Sequence, residues 1–216
     1  MTKAKFTKVK KFFSQFPVKK YPKGHIILNK GDKFENIYFI KSGFVRAYTT
    51  SPKGEITLNL FRPLFYLSII HSISNHKNEF FFQAITPVEV NIVPYSEFKK
   101  FLATDQDLKN LIMEFFFNSL MNYVINQGNI LMGNAQNKVA SVLLQLTHDY
   151  GDIKNSKLVI NFPATHRIIA NLVGLTRETT SVQMSKLQKA DIISTKRTQF
   201  TVNDLEKLKK AARVSN

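Results

Sequence analysis

Apolar positions along the chain change their period twice. In residues 5–16, Phe6, Val9, Phe12, Phe13 and Phe16 fall on one side of a lysine-rich segment, the spacing of a short basic amphipathic helix. Such a helix either packs on the domain that follows or lies on a membrane surface, and packing is the commoner use. From Tyr21 to Val93 the signal turns to short β-rich runs, among them Ile26–Leu28, Ile37–Ile40 and Phe44–Tyr48. Turn chemistry separates them at Lys30-Gly31-Asp32, Lys41-Ser42-Gly43 and Ser51-Pro52-Lys53-Gly54. Closely spaced short strands of this kind predict an antiparallel barrel or roll.

After Pro94 the helical period returns. Tyr95 to Ala103 predicts a short helix, and a long one is expected from about Asp105 to Met132, its acidic first turn (Asp105, Asp107) suiting a helix N-terminus. Within it, Met113, Phe117, Leu120, Val124, Gln127 and Leu131 follow the four-three spacing of a coiled-coil seam. A second row, Ile112, Phe116, Tyr123 and Ile130, lies alongside. One row can cover the roll while the other meets a partner helix, with Gln127 setting register. The alternative is one long helix buried in its own monomer. Gly128 and Gly133-Asn134 weaken its end and mark a candidate hinge.

The last third predicts a helix over Gln136–Tyr150, a strand over Leu158–Phe162, and a different pattern between Thr165 and Ser181. There, Ile168, Ile169, Leu172 and Val173 give one helix its apolar positions, and Ala170 is small enough for a close helix crossing. Gly174 stands where a turn needs a positive φ, and Thr176 is a natural N-cap for a second helix running through Val182 and Leu187. A wing follows, built of Ile192–Thr195, a turn at Lys196-Arg197 and Phe200–Val202. Asn203 or Asp204 then caps a final basic helix.

A helix-turn-helix with a wing is a device for reading DNA. Its second helix enters the major groove by its N-terminal residues, here Arg177, Glu178 and Ser181. Arg177 suits a forked contact to guanine O6 and N7, and Glu178 can accept from cytosine N4. Val182 either touches a thymine methyl or packs inward, and Ser181 can meet a base or a phosphate. Thr165, His166, Thr179, Lys186, Lys196 and Arg197 suit phosphate contacts, which position without specifying sequence; the lysines serve equally as solvated surface.

Composition adds less. With 31 Lys+Arg against 15 Asp+Glu the formal net charge is +16, which favours a polyanionic partner such as double-stranded DNA or simply keeps the protein soluble. No cysteine occurs, which excludes disulfides and Cys-ligated zinc or iron–sulfur clusters in these residues. No apolar run reaches the roughly 18 residues of a membrane span and no signal-peptide core follows the basic start, so a cytoplasmic location without membrane contact is expected. Among nineteen phenylalanines, Phe61, Phe65, Phe80 and Phe82, with Ser68 and Ile69, either line an effector cavity inside the roll or fill its core. His71 and His76 lack cysteine neighbours, and no metal site or other cofactor is expected. With no triad order, P-loop or dinucleotide-binding glycine motif, an enzyme is not expected either.

A family resemblance now becomes specific. Tyr21-Pro22-Lys23-Gly24, Lys30-Gly31-Asp32, Tyr38–Gly43, Val45-Arg46, Glu89-Val90 with Tyr95 and Phe98, Val139-Ala140 with Leu143-Leu144, and above all Val173–Thr179 stand in an order that resembles the Crp/Fnr family of bacterial transcription regulators across nearly the whole chain. The resemblance implies an α+β protein in three parts. An N-terminal antiparallel β-roll of the cyclic-nucleotide-binding or jelly-roll kind (1–104) senses a signal, a long dimerisation helix and hinge follow (105–134), and a C-terminal winged helix-turn-helix (135–216) binds DNA. It also implies a homodimer on a near-palindromic promoter site, with RNA polymerase a candidate partner and a small-molecule effector, or none, as input.

The departures matter as much. Family members that bind cyclic nucleotides place a Gly-Glu pair and a later Arg-Ser/Thr pair around the ribose and the cyclic phosphate. Here Ser68-Ile69 and Asn78-Glu79 align with those positions. An Ile cannot accept from the 2′-hydroxyl and a Glu repels the phosphate, so cyclic AMP is not the expected signal; without cysteine, neither is an Fnr-type iron–sulfur cluster. Many relatives also carry an Arg one turn after the recognition-helix Glu, where this chain has Val182. An effector-independent architectural DNA binder remains the alternative, told apart by uniform coverage of DNA with a steep salt dependence.

Overall fold

The computed structural model describes residues 3–33, 35–52, 54–68, 77–154, 157–196 and 199–212, which fall into two compact units, Met1–Phe117 and Asn118–Asn216. In the first unit, helix α1 (Lys3–Phe13) precedes strands β1 (Val18–Tyr21), β2 (Ile26–Leu28), β3 (Asn36–Ser42), β4 (Val45–Ser51), β5 (Gly54–Phe61), β6 (Tyr66–Leu67), β7 (Phe81–Ala84) and β8 (Val88–Pro94). Among the described residues these make two antiparallel sheets, ordered β1-β8-β3-β6 and β2-β7-β4-β5. Helix α2 (Tyr95–Ala103) follows, and then α3 (Gln106–Met132), whose residues up to Phe117 belong to the first unit and the rest to the second.

Alternation along the strands explains the roll. On β8, Val88 and Val90 join Ile40, Val45, Ala47, Leu67 and Phe82 in the core between the sheets. Val93, one register position out of phase, joins Ile37 and Phe39 on the sheet's other face, where α1 supplies Val9 and Phe13, α2 Phe98, and α3 Leu108 and Ile112. Both faces of this sheet are therefore covered, which is why β3 reads as an unbroken apolar run. The Phe13 ring stacks on Phe39 at 4.3 Å and Phe12 on Phe101 at 4.0 Å. Burial pushes the Tyr66 hydroxyl, beside this cluster, up to about 12. The basic N-terminal helix is thus a packing helix. It ends at Phe13 rather than Phe16, because Gln15 and Phe16 donate three residues back to Phe12 and Phe13 ahead of Pro17. Phe6 lies outside the described side chains. The turn at Gly43 requires glycine, since φ is +83° and a Cβ would lie 2.1 Å from the Pro87 carbonyl oxygen.

The long helix begins one residue later than its acidic signal suggested. Asp105 is its cap, accepting from the Leu108 N–H at 2.9 Å and pairing with Lys8 at 2.6 Å. The helix runs unbroken through Gly128 and ends at Met132, and the break falls at Gly133-Asn134 alone. There Asn134 forms a reciprocal capping box with Asn137 and opens α4 (Ala135–Tyr150).

In the second unit, α4 is followed by β9 (Gly151–Lys154), β10 (Lys157–Ile160), α5 (His166–Val173), α6 (Arg177–Lys189), β11 (Ile193–Lys196), β12 (Gln199–Val202) and α7 (Leu205–Ala212). The sheet order is β11-β12-β10-β9. The strand expected over Leu158–Phe162 ends at Ile160, and Phe162 instead packs beside Tyr150 with ring centres 4.9 Å apart. Its hairpin partner β9 carried no apolar alternation to announce it. It is an edge strand whose one apolar side chain, Ile153, is 81% exposed. Of the two candidate caps for the last helix, Asp204 serves, accepting from the Lys207 N–H at 2.9 Å. Asn137 and Ser141 of α4 donate to the Ala211 and Ala212 carbonyls at its far end.

Candidate nucleic-acid interface

The helix-turn-helix is built by two threonine caps and one glycine. Thr165 accepts from the Ile168 N–H at 3.2 Å and opens α5. Gly174 closes it in the left-handed region, φ 66° and ψ 33°, which lets the chain reverse at once. Thr176 then accepts from the Thr179 N–H at 3.1 Å and opens α6, while its hydroxyl also meets that of Thr179 at 3.0 Å. Ile169, Ala170 and Val173 of α5 are buried, as are Thr180, Gln183, Met184 and Leu187 of α6. The opposite face of α6 is left outside. On it, Arg177, Glu178, Val182, Ser185, Lys186 and Lys189 are exposed. Neither Arg177 nor Glu178 forms an ion pair among the described residues. Val182 does not pack inward; it is 53% exposed.

His166 and Ser181, expected to act separately on DNA, meet each other. The imidazole Nδ1 lies 2.8 Å from the Ser181 hydroxyl, and the ring stacks on Phe200 of β12 at 6.5 Å. Burial lowers the pKa of His166, and the neighbouring Arg177 charge lowers it further, so the ring is neutral near pH 7. A cleft of about 590 Å³ opens here, lined by Thr165, His166, Arg167, Asn171, Thr176 and Arg177, with Ala164, Ala170, Leu175 and Phe200. Arg167 and Asn171 were missed from sequence. Their i, i+4 spacing, next to a residue already assigned to phosphate, was the signal that would have found them. Lys196 is exposed at the end of β11, and Arg197 lies outside the described residues.

Along α3, the seam residues Met113, Phe117, Leu120, Val124 and Leu131 are exposed, Phe117 by 57% and Leu131 by 78%, and Gln127 is half-buried. In the second row Ile112 and Ile130 are buried, Phe116 and Tyr123 half-buried. The exposed apolar face also includes Met121, Ile125 and Met132, absent from the seam pattern.

In the roll, Phe82 is buried and Phe61, Phe65 and Phe80 pack half-buried against the same core. The Ser68 hydroxyl donates to the Asn36 carbonyl at 2.7 Å. Asn78 is 1% exposed; its amide donates to the Asn29 carbonyl and its Oδ1 accepts from the Phe80 N–H at 3.0 Å. Glu79 pairs with Lys30 at 3.3 Å. Ile69, His71 and His76 lie outside the described residues. Among the described residues, no three His, Asp or Glu side chains come together to hold a metal, and no helix is long and apolar enough to cross a membrane.

Two families match the chain. A Crp-like helix-turn-helix domain matches residues 137–211 and a cyclic nucleotide-binding domain matches residues 18–105. The fumarate and nitrate reduction regulatory protein of Yersinia pestis is 26% identical over 193 residues, covering 88% of this chain and 76% of that protein. Among solved structures, FixK2 of Bradyrhizobium japonicum superposes with a TM-score of 0.78 at 19% identity, over 93% of this chain and 99% of that one. A CRP/FNR-family transcriptional regulator of Thermus thermophilus gives 0.70 at 22% identity, over 91% and 98%.

Proposed function

This chain belongs to the Crp/Fnr family of transcription regulators, and from that premise we propose that it acts as a homodimer on a near-palindromic promoter site without responding to cyclic AMP. Residues 1–104 form the sensing part, 105–134 the dimerisation helix and hinge, and 135–216 the DNA-binding part. Arg177, Glu178 and Val182 face the bases with Ser181 beside them. Thr165, His166, Thr179, Lys186, Lys196 and Arg197 contact phosphates, joined by Arg167. The single observation that carries this assignment is the exposed face of α6, where an arginine and a glutamate stand without ion-pair partners among the described residues at the capped N-terminus of a packed helix.

Pairing through Met113, Phe117, Leu120, Val124, Gln127 and Leu131 is supported by the exposure of the five apolar members, since apolar side chains repeating every three and four residues gain by facing their own copies. Against cyclic AMP stand the chemistry of Ser68-Ile69 and Asn78-Glu79 and the engagement of Asn78 with the roll's own backbone. The input is another small molecule held by the phenylalanine-lined roll or a signal without a ligand, and RNA polymerase is the partner on the output side. The protein acts by binding rather than turnover, as the regulators it resembles suggest.

The test is a footprint on promoter DNA with wild type and Arg177→Ala. A sharp inverted-repeat footprint is expected, and the variant should lose about 1–3 kcal/mol at that site and relax discrimination at one base pair. Uniform coverage with a steep salt slope would instead favour an architectural DNA binder, which the net charge of +16 also permits.

A further inference from the structure

Helix α6 has three large apolar side chains, and the structure treats one of them differently. Met184 and Leu187 are buried in the unit's own core, whereas Val182 is 53% exposed. At 3.6 residues per turn, Val182 lies one turn beyond Glu178 and one turn before Lys186, on a ridge with Ser185 and opposite the buried Thr180, Gln183 and Met184. A lone surface valine is ordinary. This one sits in the middle of the face that Arg177 and Glu178 open, flanked by polar side chains.

The neighbouring hydroxyl does not fill the gap. Ser181 is held by His166 at 2.8 Å, and the ring that holds it is fixed in turn against Phe200. Between Glu178 and Ser185 the ridge therefore offers two branched methyl groups and nothing else. In the major groove, the apolar feature of a base edge is the 5-methyl group of a pyrimidine. Thymine carries it on an A·T pair, and 5-methylcytosine carries the same group on a G·C pair.

We propose that Val182 reads a pyrimidine 5-methyl group, so that one position in each half-site prefers a methylated pyrimidine edge. This rests on the base-reading role of α6. Losing the methyl at that position should weaken binding about fourfold, the effect of burying one methyl-sized group.

The experiment uses the full-length protein, a duplex carrying its footprinted site, and fixed salt. Each thymine is replaced singly by deoxyuridine and each cytosine by 5-methylcytosine, and affinity is measured for wild type and Val182→Ala. The variant's thermal midpoint serves as the folding control, and because the side chain is exposed it should match wild type. Support takes one of two forms. Deoxyuridine weakens wild type about fourfold at one position per half-site and leaves Val182→Ala indifferent, which identifies thymine as the source. Alternatively, 5-methylcytosine strengthens wild type by a similar factor at one position, again only with Val182 present, which identifies a methylated cytosine. If wild type prefers its site over unrelated DNA yet no substitution produces a Val182-dependent change, the inference is overturned and base reading by α6 stands. If wild type shows no preference for any site, base reading itself fails and this inference falls with it.

Discussion

In the roll, Asn78 is 1% exposed and both ends of its amide are engaged, with the Asn29 carbonyl and the Phe80 N–H. On α6, Arg177 and Glu178 stand in solvent with no ion pair among the described residues. On the proposed assignment both regions hold polar side chains at binding positions, yet the roll engages Asn78 with its own backbone while the helix leaves Arg177 and Glu178 exposed. A polar residue at a binding position becomes informative only when its hydrogen-bonding capacity has been followed to its end. Satisfied and buried, it is part of the fold; exposed and unpaired on a rigid, capped helix, it is available for recognition.

The difference can be broken from the roll's side first. Phe13→Ala removes a fully buried ring that stacks on Phe39, and should cost the first unit about 3–5 kcal/mol in a denaturant titration. The preference for specific over unrelated DNA, measured on the folded fraction, should stay unchanged. Asn78→Ala comes next, since it removes the side-chain hydrogen bonds to the Asn29 carbonyl and from the Phe80 N–H, at about 0.5–1.5 kcal/mol of stability each and no loss of sequence discrimination. Glu178→Ala should do the reverse. Its stability should stay within about 0.5 kcal/mol of wild type, while discrimination at one base pair relaxes. If Asn78→Ala changed base preference, or Glu178→Ala unfolded the protein, the distinction between the two regions would be lost.

The smallest effect is a pH dependence at His166, a group that belongs to both categories. Its folded pKa is depressed, so the unfolded chain binds the proton more readily. The stability this contributes is complete above the ordinary histidine pKa and is lost as pH falls from there through the folded value. DNA affinity should move oppositely, because a phosphate beside the ring favours the imidazolium. Urea midpoints and dissociation constants measured from pH 7.5 down to pH 5, for wild type and His166→Gln, would show both slopes in their difference. Slopes of the same sign would remove His166 from the phosphate contacts.

Much of this was legible because local rules dominate at those places. Gly174 and Thr176 announce the turn and the second helix's cap by residue type alone, and the structure uses both as expected; Thr165, expected only on phosphate, also caps the first helix. The four-three repeat on the long helix is equally local, and its five apolar residues are exposed in one chain. Strand β9 was invisible because an edge strand with one exposed isoleucine needs no alternation. Met121, Ile125 and Met132 escaped because a seam pattern selects the centre of an apolar face and says nothing of its width.

The sequence by itself determined the order of elements, the caps, the glycine turn and the recognition helix, all set by interactions within a few residues. Only the tertiary structure decided which side chains those elements leave free. It set His166 against Ser181, turned Asn78 onto the backbone of a distant turn and left Val182 in water. The first two outcomes depend on partners 15 and 49 residues away, and no local pattern carries that distance.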